Sequence, residues 1–310
     1  MKTVGIIGGS GFIGSHTTKK FVEEGYNVLV GVTDILKKEK YQHLLELGHS
    51  DQISFSELTV ENKKQLKEFA EDCDIIIHGG TPFQLAVDNP QTELFDPTIK
   101  GTENFLEVIN KTPGIEKVVF IASVAGWNTN FPMPAGNKNF KDTFDETDIR
   151  FTSIESHPYA QAKFIANQTV LKFIKNHPET SFEISTVSPV AVMGKSLSKR
   201  EDSTSTGLQF LIKNKIAPDD FIQAIYDNDV PFAIVDVRDV AKAIFKTATT
   251  KGLHGKDYLL SSETYATSDI SLLLNHKQAK NPPVSIYKNT LAQKDLQMQF
   301  IPAAETLKTY

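Results

Sequence analysis

Tyr159-Ala160-Gln161-Ala162-Lys163 sets a phenol and an ammonium four residues apart. On a helix, side chains at i and i+4 share one face. Pro158 suits the first position of a helix and Ser156 a capping position, so the pair is expected at the start of a helix over 158–176. A free phenol titrates at about 10 and is a poor acid–base near neutrality. An adjacent ammonium favours the phenolate and lowers that value. A tyrosine so placed exchanges a proton with a substrate oxygen while a hydride moves at the neighbouring carbon. Tyr and Lys at this spacing also occur by chance on many helices, so the weight rests on their company. Ser123 closes the apolar run 118–122, at the carboxyl edge where α/β sheets bind ligands. Its hydroxyl is expected to hold the substrate oxygen beside the tyrosine. The plainer reading is a serine that satisfies a backbone group at a strand end.

The first strand candidate runs into Gly8-Gly9-Ser10-Gly11-Phe12-Ile13-Gly14, and a helical pattern follows at once. Gly9, Gly11 and Gly14 fit the spacing G-x-G-x-x-G, whereas Gly8, Gly11 and Gly14 fit G-x-x-G-x-x-G. In either reading one glycine allows the tight bend, one lets the backbone approach a pyrophosphate, and one lets the helix pack on the sheet. The helix N-terminus adds free N–H groups and a positive dipole end. A dinucleotide is therefore expected, with Lys163 in reach of the nicotinamide ribose. The second strand ends Gly31-Val32-Thr33-Asp34. An acidic residue at its end would hold a ribose 2′-hydroxyl and repel a 2′-phosphate. Val32 takes that position, Thr33 can donate to a phosphate, and Lys37, Lys38 and Lys40 follow. This favours NADP(H), and Asp34 leaves NAD(H) open.

These residues need a scaffold. Strand candidates lie at 4–8, 28–33, 53–57, 75–78, 118–122 and 183–188, several of them apolar at successive positions, as buried parallel strands are. Helical patterns fall at 13–24, 37–47, 62–71, 98–110 and 158–176. The alternation reads as an α/β doubly wound parallel sheet, a Rossmann fold. Beyond residue 190 the pattern changes, and a small non-contiguous substrate lobe is expected. Residues 1–190 and 232–262 then form the nucleotide domain, with 232–235 and 258–261 as returning strands. Residues 191–231 and 263–310 form the lobe. The long irregular stretch 126–157 is expected to wall the pocket.

Composition sets outer bounds. The 310 residues carry 33 Lys plus Arg against 38 Asp plus Glu, a formal charge of −5, which gives no basic footprint for nucleic acid. The longest apolar stretch is far short of the ~18–20 residues of a membrane-spanning helix. The lone Cys73 excludes an intrachain disulfide and fits a reducing, cytoplasmic setting. No metal site is expected.

The chain resembles the extended short-chain dehydrogenases/reductases, within the epimerase/dehydratase superfamily, and among them the dihydroflavonol reductase-like group. The resemblance rests on 8–15, Gly25-Tyr26, His43-Leu44-Leu45-Glu46-Leu47, Asp72-Cys73-Asp74, His78 with Thr81-Pro82, 97–102, 119–123, Tyr159 with Lys163, 235–241 and 258–261. It implies a catalytic triad of Ser123, Tyr159 and Lys163. It also implies cofactor contacts from Gly8, Gly11, Phe12, Ile13, Gly14, Thr33, Lys40, Gly79, Pro189 and Val190. Glu57-Leu58 stands where the group has the Asp-Leu that reads the adenine region, and Thr33 stands where it has an arginine for the 2′-phosphate. Asn128 matches a substrate-contacting asparagine. Relatives often pair through a helix bundle, so a homodimer is allowed.

Trp127 and Phe83 are further candidates for the substrate wall, and Phe131 and Phe140 lie in loops near the site. His78 is expected to line the cofactor cleft in a structural role, and Asp236 and Asp239 to start and brace a helix. The activity expected is reduction of a ketone or aldehyde on a small, partly apolar substrate. One alternative is an NAD-retaining nucleotide-sugar epimerase or dehydratase, which needs a basic diphosphate clamp; Lys195, Lys199, Arg200, Lys213 and Lys215 are available for it. Another is a non-catalytic dinucleotide-sensing protein.

Overall fold

The computed structural model describes residues 1–79, 89–200 and 203–310. In chain order the elements are β1 (Thr3–Ile7), α1 (Phe12–Glu23), β2 (Asn27–Val32), α2 (Gln42–Leu45), β3 (Ile53–Glu57), α3 (Lys63–Glu71), β4 (Ile75–His78), α4 (Asp96–Lys111), β5 (Lys117–Ile121), α5 (Pro158–Asn176) and β6 (Glu183–Pro189). They continue with β7 (Ala191–Met193), α6 (Thr204–Asn214), α7 (Asp220–Asp227), β8 (Pro231–Asp236), α8 (Val237–Thr249), β9 (Asp257–Leu260), β10 (Glu263–Ala266), α9 (Thr267–Leu274), α10 (Thr290–Asp295) and α11 (Ala303–Leu307). Seven strands form one sheet in the order β3-β2-β1-β4-β5-β6-β9. Every neighbouring pair in it is parallel. The order reverses between β1 and β4, and a crevice at that switch point is where such sheets take ligands.

Burial explains why the strands read as apolar runs. All four residues of β4 and the last six of β6 are buried, because helices cover both sheet faces. One face packs Phe21 and Val22 of α1 against Val240 and Ile244 of α8. The other packs Leu66 and Phe69 of α3, Phe105 and Ile109 of α4 and Val170 of α5. Gly5 on β1 is fixed by this packing, since a Cβ there would lie 2.6 Å from Cys73 Sγ. Cys73 is buried, donates to Phe69 O, and has its thiol pushed up to about 12 by that burial. It packs and offers no thiolate.

The second lobe carries its own sheet, in the order β10-β8-β7, over a core of Met193, Ile212, Ile225, Phe232, Ile234, Ile270 and Leu274. Residues 232–235 therefore do not rejoin the nucleotide sheet as expected. They form β8 of the small sheet, antiparallel to β10 and parallel to β7. The chain returns through α8 and β9 instead. A strand's local pattern states that it is buried and leaves open which sheet buries it. The helix expected at 37–47 is also broken, into a single turn at Lys38–Lys40 and the four residues of α2. Tyr41 and Leu44 are the two side chains in it that are buried.

The stretch 126–157 is pinned along its length. Arg150 lies over the Trp127 ring at 3.7 Å and donates to Gly126 O, Asn167 Oδ1 and Asp257 Oδ2. Asp257 also accepts from Ser188 and Asn167. Ser156 Oγ bonds Thr129 Oγ1 at 2.8 Å and donates to Asn130 Oδ1 at 2.7 Å. That engagement removes Ser156 from the capping role expected of it. His157 caps α5 instead, its Nδ1 accepting from Tyr159 N at 3.2 Å.

Candidate active site

At the N-terminus of α1 the backbone makes a bare cradle. Gly8 has φ +81°, a left-handed conformation that favours glycine. Gly11 N donates to Gly8 O at 3.1 Å and closes the bend. A Cβ on Gly14 would lie 2.0 Å from Gly8 O and 2.7 Å from Gly9 Cα, so nothing larger than glycine fits there. Gly11 caps α1 without a side-chain bond to its first N–H groups. That is the geometry of an anion site.

This cradle is part of a cleft of about 470 Å³. Gly8, Gly11, Phe12, Ile13, Gly14 and Gly79 line it together with Ser123, Tyr159, Lys163, Pro189 and Val190. The volume lies within the roughly 300–1,000 Å³ of small-molecule clefts. A glycine cradle and an acid–base cluster on one continuous surface fit a dinucleotide. β5 delivers Ser123, α5 delivers Tyr159 and Lys163, and β6 ends at Pro189. Ser123 Oγ accepts from Ala125 N at 3.2 Å. The plain strand-end role is thus met by the oxygen, and the hydroxyl hydrogen stays available to donate.

The charge relation between Tyr159 and Lys163 differs from expectation. The ammonium sits 5.6 Å from the centre of the phenol ring. Desolvation governs both groups: it pushes the Tyr159 phenol up to about 12 and the Lys163 ammonium down to about 8. The lysine therefore does not pull the phenol toward neutrality, because withdrawal from water penalises the charged form of each. Tyr159 is held as a neutral acid, ready to donate.

The remaining expected residues divide. Thr33 and Lys40 are exposed at the carboxyl edge beside β2. Asp34 is occupied, accepting from Leu36 N at 2.9 Å and pairing with Lys37. Glu57 ends β3 in solvent, whereas Leu58 is buried in the core beneath Gly31. The Leu58 side chain is turned into the core. Asn128 and Trp127 do not reach the cleft either. Asn128 is fully buried; its amide donates to Met133 O and Tyr287 OH, and its oxygen accepts from Asn130 N. Trp127 is buried under Arg150. Both anchor the pocket wall. Phe83 lies outside the described residues. Phe140 lines a separate small cavity with Phe144 and Tyr287, and Phe131 does line the cleft.

His78 is buried between Phe120 and Phe105, with ring centroids at 4.6 and 4.4 Å, and borders a small cavity behind Lys163. Burial, then the Lys163 charge, pushes it down to about 4, so it is neutral. Asp236 caps α8 and pairs with Arg238 in bidentate fashion, and Asp239 accepts from Ile301 N. Sequence reasoning had not singled out Val192, Leu208 and Phe232 as walls of the cleft. Their positions depend on the second lobe's packing and leave no motif. Among the described residues no group of three His, Cys, Asp or Glu side chains is placed to hold a metal, and no helix is long and apolar enough to cross a membrane.

Residues 4–261 match the NAD dependent epimerase/dehydratase family. The chain belongs to this family. Within it, the chain is 25% identical over 314 residues to a cinnamoyl-CoA reductase of Medicago truncatula, covering 98% of this chain and 92% of that protein. It is 30% identical over 260 residues to a ketoreductase of Aspergillus niger, covering 78% and 72%. A yeast methylglyoxal/isovaleraldehyde reductase solved with NADPH has the same fold, with a TM-score of 0.81 at 20% identity over 99% of this chain and 96% of that one. The likeness to reductases of this superfamily, drawn above from the motifs, is met.

Proposed function

We propose that the protein is an NADP(H)-dependent reductase that interconverts a ketone or aldehyde and the corresponding alcohol on a small, partly apolar substrate. The observation that carries this reading is the single cleft that joins the glycine cradle to Ser123, Tyr159 and Lys163. The names of the relatives, a cinnamoyl-CoA reductase and a ketoreductase, support it.

In this reading Gly8, Gly11 and the first N–H groups of α1 hold the diphosphate. Thr33 and Lys40 would hold the adenosine ribose, and Pro189 and Val190 would wall the nicotinamide. A nicotinamide held there would supply the hydride in reduction and accept it in oxidation. Ser123 donates a hydrogen bond to the substrate oxygen and positions it. Tyr159 passes its proton to that oxygen as charge develops, and its neutral state at physiological pH is the donor state. Lys163 steadies the phenolate left behind and holds the ribose. The second lobe shapes the substrate end, where Phe131, Val192, Leu208 and Phe232 present an apolar face. Of the cations weighed for a sugar-nucleotide clamp, Lys213 lies over the Tyr310 ring and Lys215 closes α6, while Arg200 alone among the five lines the described cleft.

NADPH and NADH oxidation across a panel of aldehydes and ketones tests the proposal. Turnover with NADPH preferred is expected, and Tyr159→Phe should lose ~10²–10⁴-fold in kcat. Full turnover by Tyr159→Phe would sink the mechanism, and better use of NADH would overturn the cofactor assignment.

A further inference from the structure

The arginine that the resemblance leads one to expect after β2 is Thr33, a neutral residue. That is the place where a 2′-phosphate on the adenosine ribose would lie. A dianion there needs a cation with matching geometry, and the structure brings one from another part of the chain. Arg200 belongs to the segment between β7 and α6, in the second lobe. This segment crosses the edge of the nucleotide domain at two points. His16 Nε2 bonds Lys195 O at 2.9 Å, and Arg200 donates through NH1 to Lys40 O at 3.0 Å. Arg200 also lines the cleft with Gly11, Phe12 and Ile13.

The surroundings are built for an anion. His43 bonds Ser15 Oγ at 2.7 Å on the first turn of α1. It stands close enough to Arg200 that the guanidinium charge, after burial, holds its pKa below the usual value. Lys40, whose carbonyl accepts from Arg200, is exposed. The nearby Asp34 is already engaged by Leu36 N and Lys37. Arg200 thus stands at the cleft edge beside the Lys40 backbone and within the electrostatic reach of His43. A guanidinium takes phosphate oxygens through paired N–H donors, which is why it is the side chain suited to this task.

We infer that Arg200 recognises the 2′-phosphate of NADP(H), and does so from the second lobe. The phosphate then bridges the two parts of the molecule, and the choice of NADP(H) over NAD(H) is made across the cleft rather than at the end of β2. The inference rests on the reading of the cleft as a dinucleotide site.

Direct binding tests it without turnover. Titrate the wild type, Arg200→Gln and Arg200→Lys with NADPH, NADH, adenosine 2′,5′-bisphosphate and AMP, following ligand fluorescence or heat. Arg200→Gln should weaken NADPH and the bisphosphate by roughly 10–100-fold, the range of a charge-assisted hydrogen bond. NADH and AMP should change less than about twofold. Arg200→Lys should recover part of the loss. Equal weakening of NADPH and NADH would overturn the inference, since Arg200 would then serve the diphosphate shared by both. So would unchanged NADPH binding. A wild-type protein that binds neither dinucleotide would overturn the cofactor reading itself, which a failure at Arg200 alone leaves standing.

Discussion

The two shifted groups in the cleft make the reaction's pH dependence a sharp test. Burial holds the Tyr159 phenol at about 12 and the Lys163 ammonium at about 8. Reduction needs the phenol protonated, which holds throughout the neutral and moderately alkaline range. It also needs Lys163 charged, to steady the phenolate as it forms. With a pKa of about 8, roughly nine-tenths of Lys163 is charged at pH 7 and about one-tenth at pH 9. The free enzyme's groups are read in kcat/KM, which for reduction should therefore be level to about pH 7.5 and fall about tenfold between pH 7 and 9. Oxidation needs the phenolate, so between pH 6 and 8 its rate should climb about tenfold per pH unit. Lys163→Arg replaces the titrating group with one that stays charged above pH 12. Its kcat/KM should be lower overall, because the guanidinium is larger, but its alkaline limb should vanish. His78 is neutral throughout this range, pushed down to about 4. A wild-type reduction profile that stays flat to pH 9.5, or a Lys163→Arg profile that keeps the fall, would refute the assignment of that limb to Lys163.

The glycine cradle and its scaffold carry further expectations. Gly14→Ala places a methyl 2.0 Å from Gly8 O, so the first turn of α1 must shift; dinucleotide binding should weaken more than about 100-fold in a fluorescence titration. Arg150 and Asp257 are largely buried partners in the network under the pocket wall. Arg150→Met leaves the Asp257 charge without that partner and should cost about 3–5 kcal/mol in a denaturant titration; a loss under 1 kcal/mol would mean the wall is held by its other contacts. Burial pushes the Glu146 carboxyl up to about 7, above its unfolded value. The folded chain then binds more protons than the unfolded one between about pH 4.5 and 7, so this group's contribution to stability falls as pH rises. Glu146→Gln should melt higher than the wild type at pH 7.5 by an amount that shrinks toward pH 5, and an advantage independent of pH would count against burial as the cause.

Several parts of the site were open to reading because their chemistry is local. The glycines of the first turn act within seven consecutive residues, and Tyr159 and Lys163 share a helix face by spacing alone. Strands covered on both faces carry continuous apolar runs, so the parallel sheet was legible too. Asn128 shows where such reading stops. The resemblance to the dihydroflavonol reductase-like group implied a substrate contact for it, yet the side chain is turned into the core and bonded to Tyr287, 159 residues away. The Trp127 and Leu58 side chains are likewise turned inward, since sequence spacing does not say which way a side chain faces once distant segments pack over it.

The sequence by itself determined the chemical parts of this protein and their order along the chain: a phosphate cradle, a strand-end serine, and a tyrosine–lysine pair. Each needs only a few neighbouring residues and a standard element to take shape. The tertiary structure decided how those parts behave. It removed Tyr159 and Lys163 from water, so desolvation and not mutual attraction sets their protonation. It placed β8 in the small sheet, and it laid Arg200 against Lys40, 160 residues away. Burial and charge proximity arise from packing between remote segments, and no local pattern encodes them.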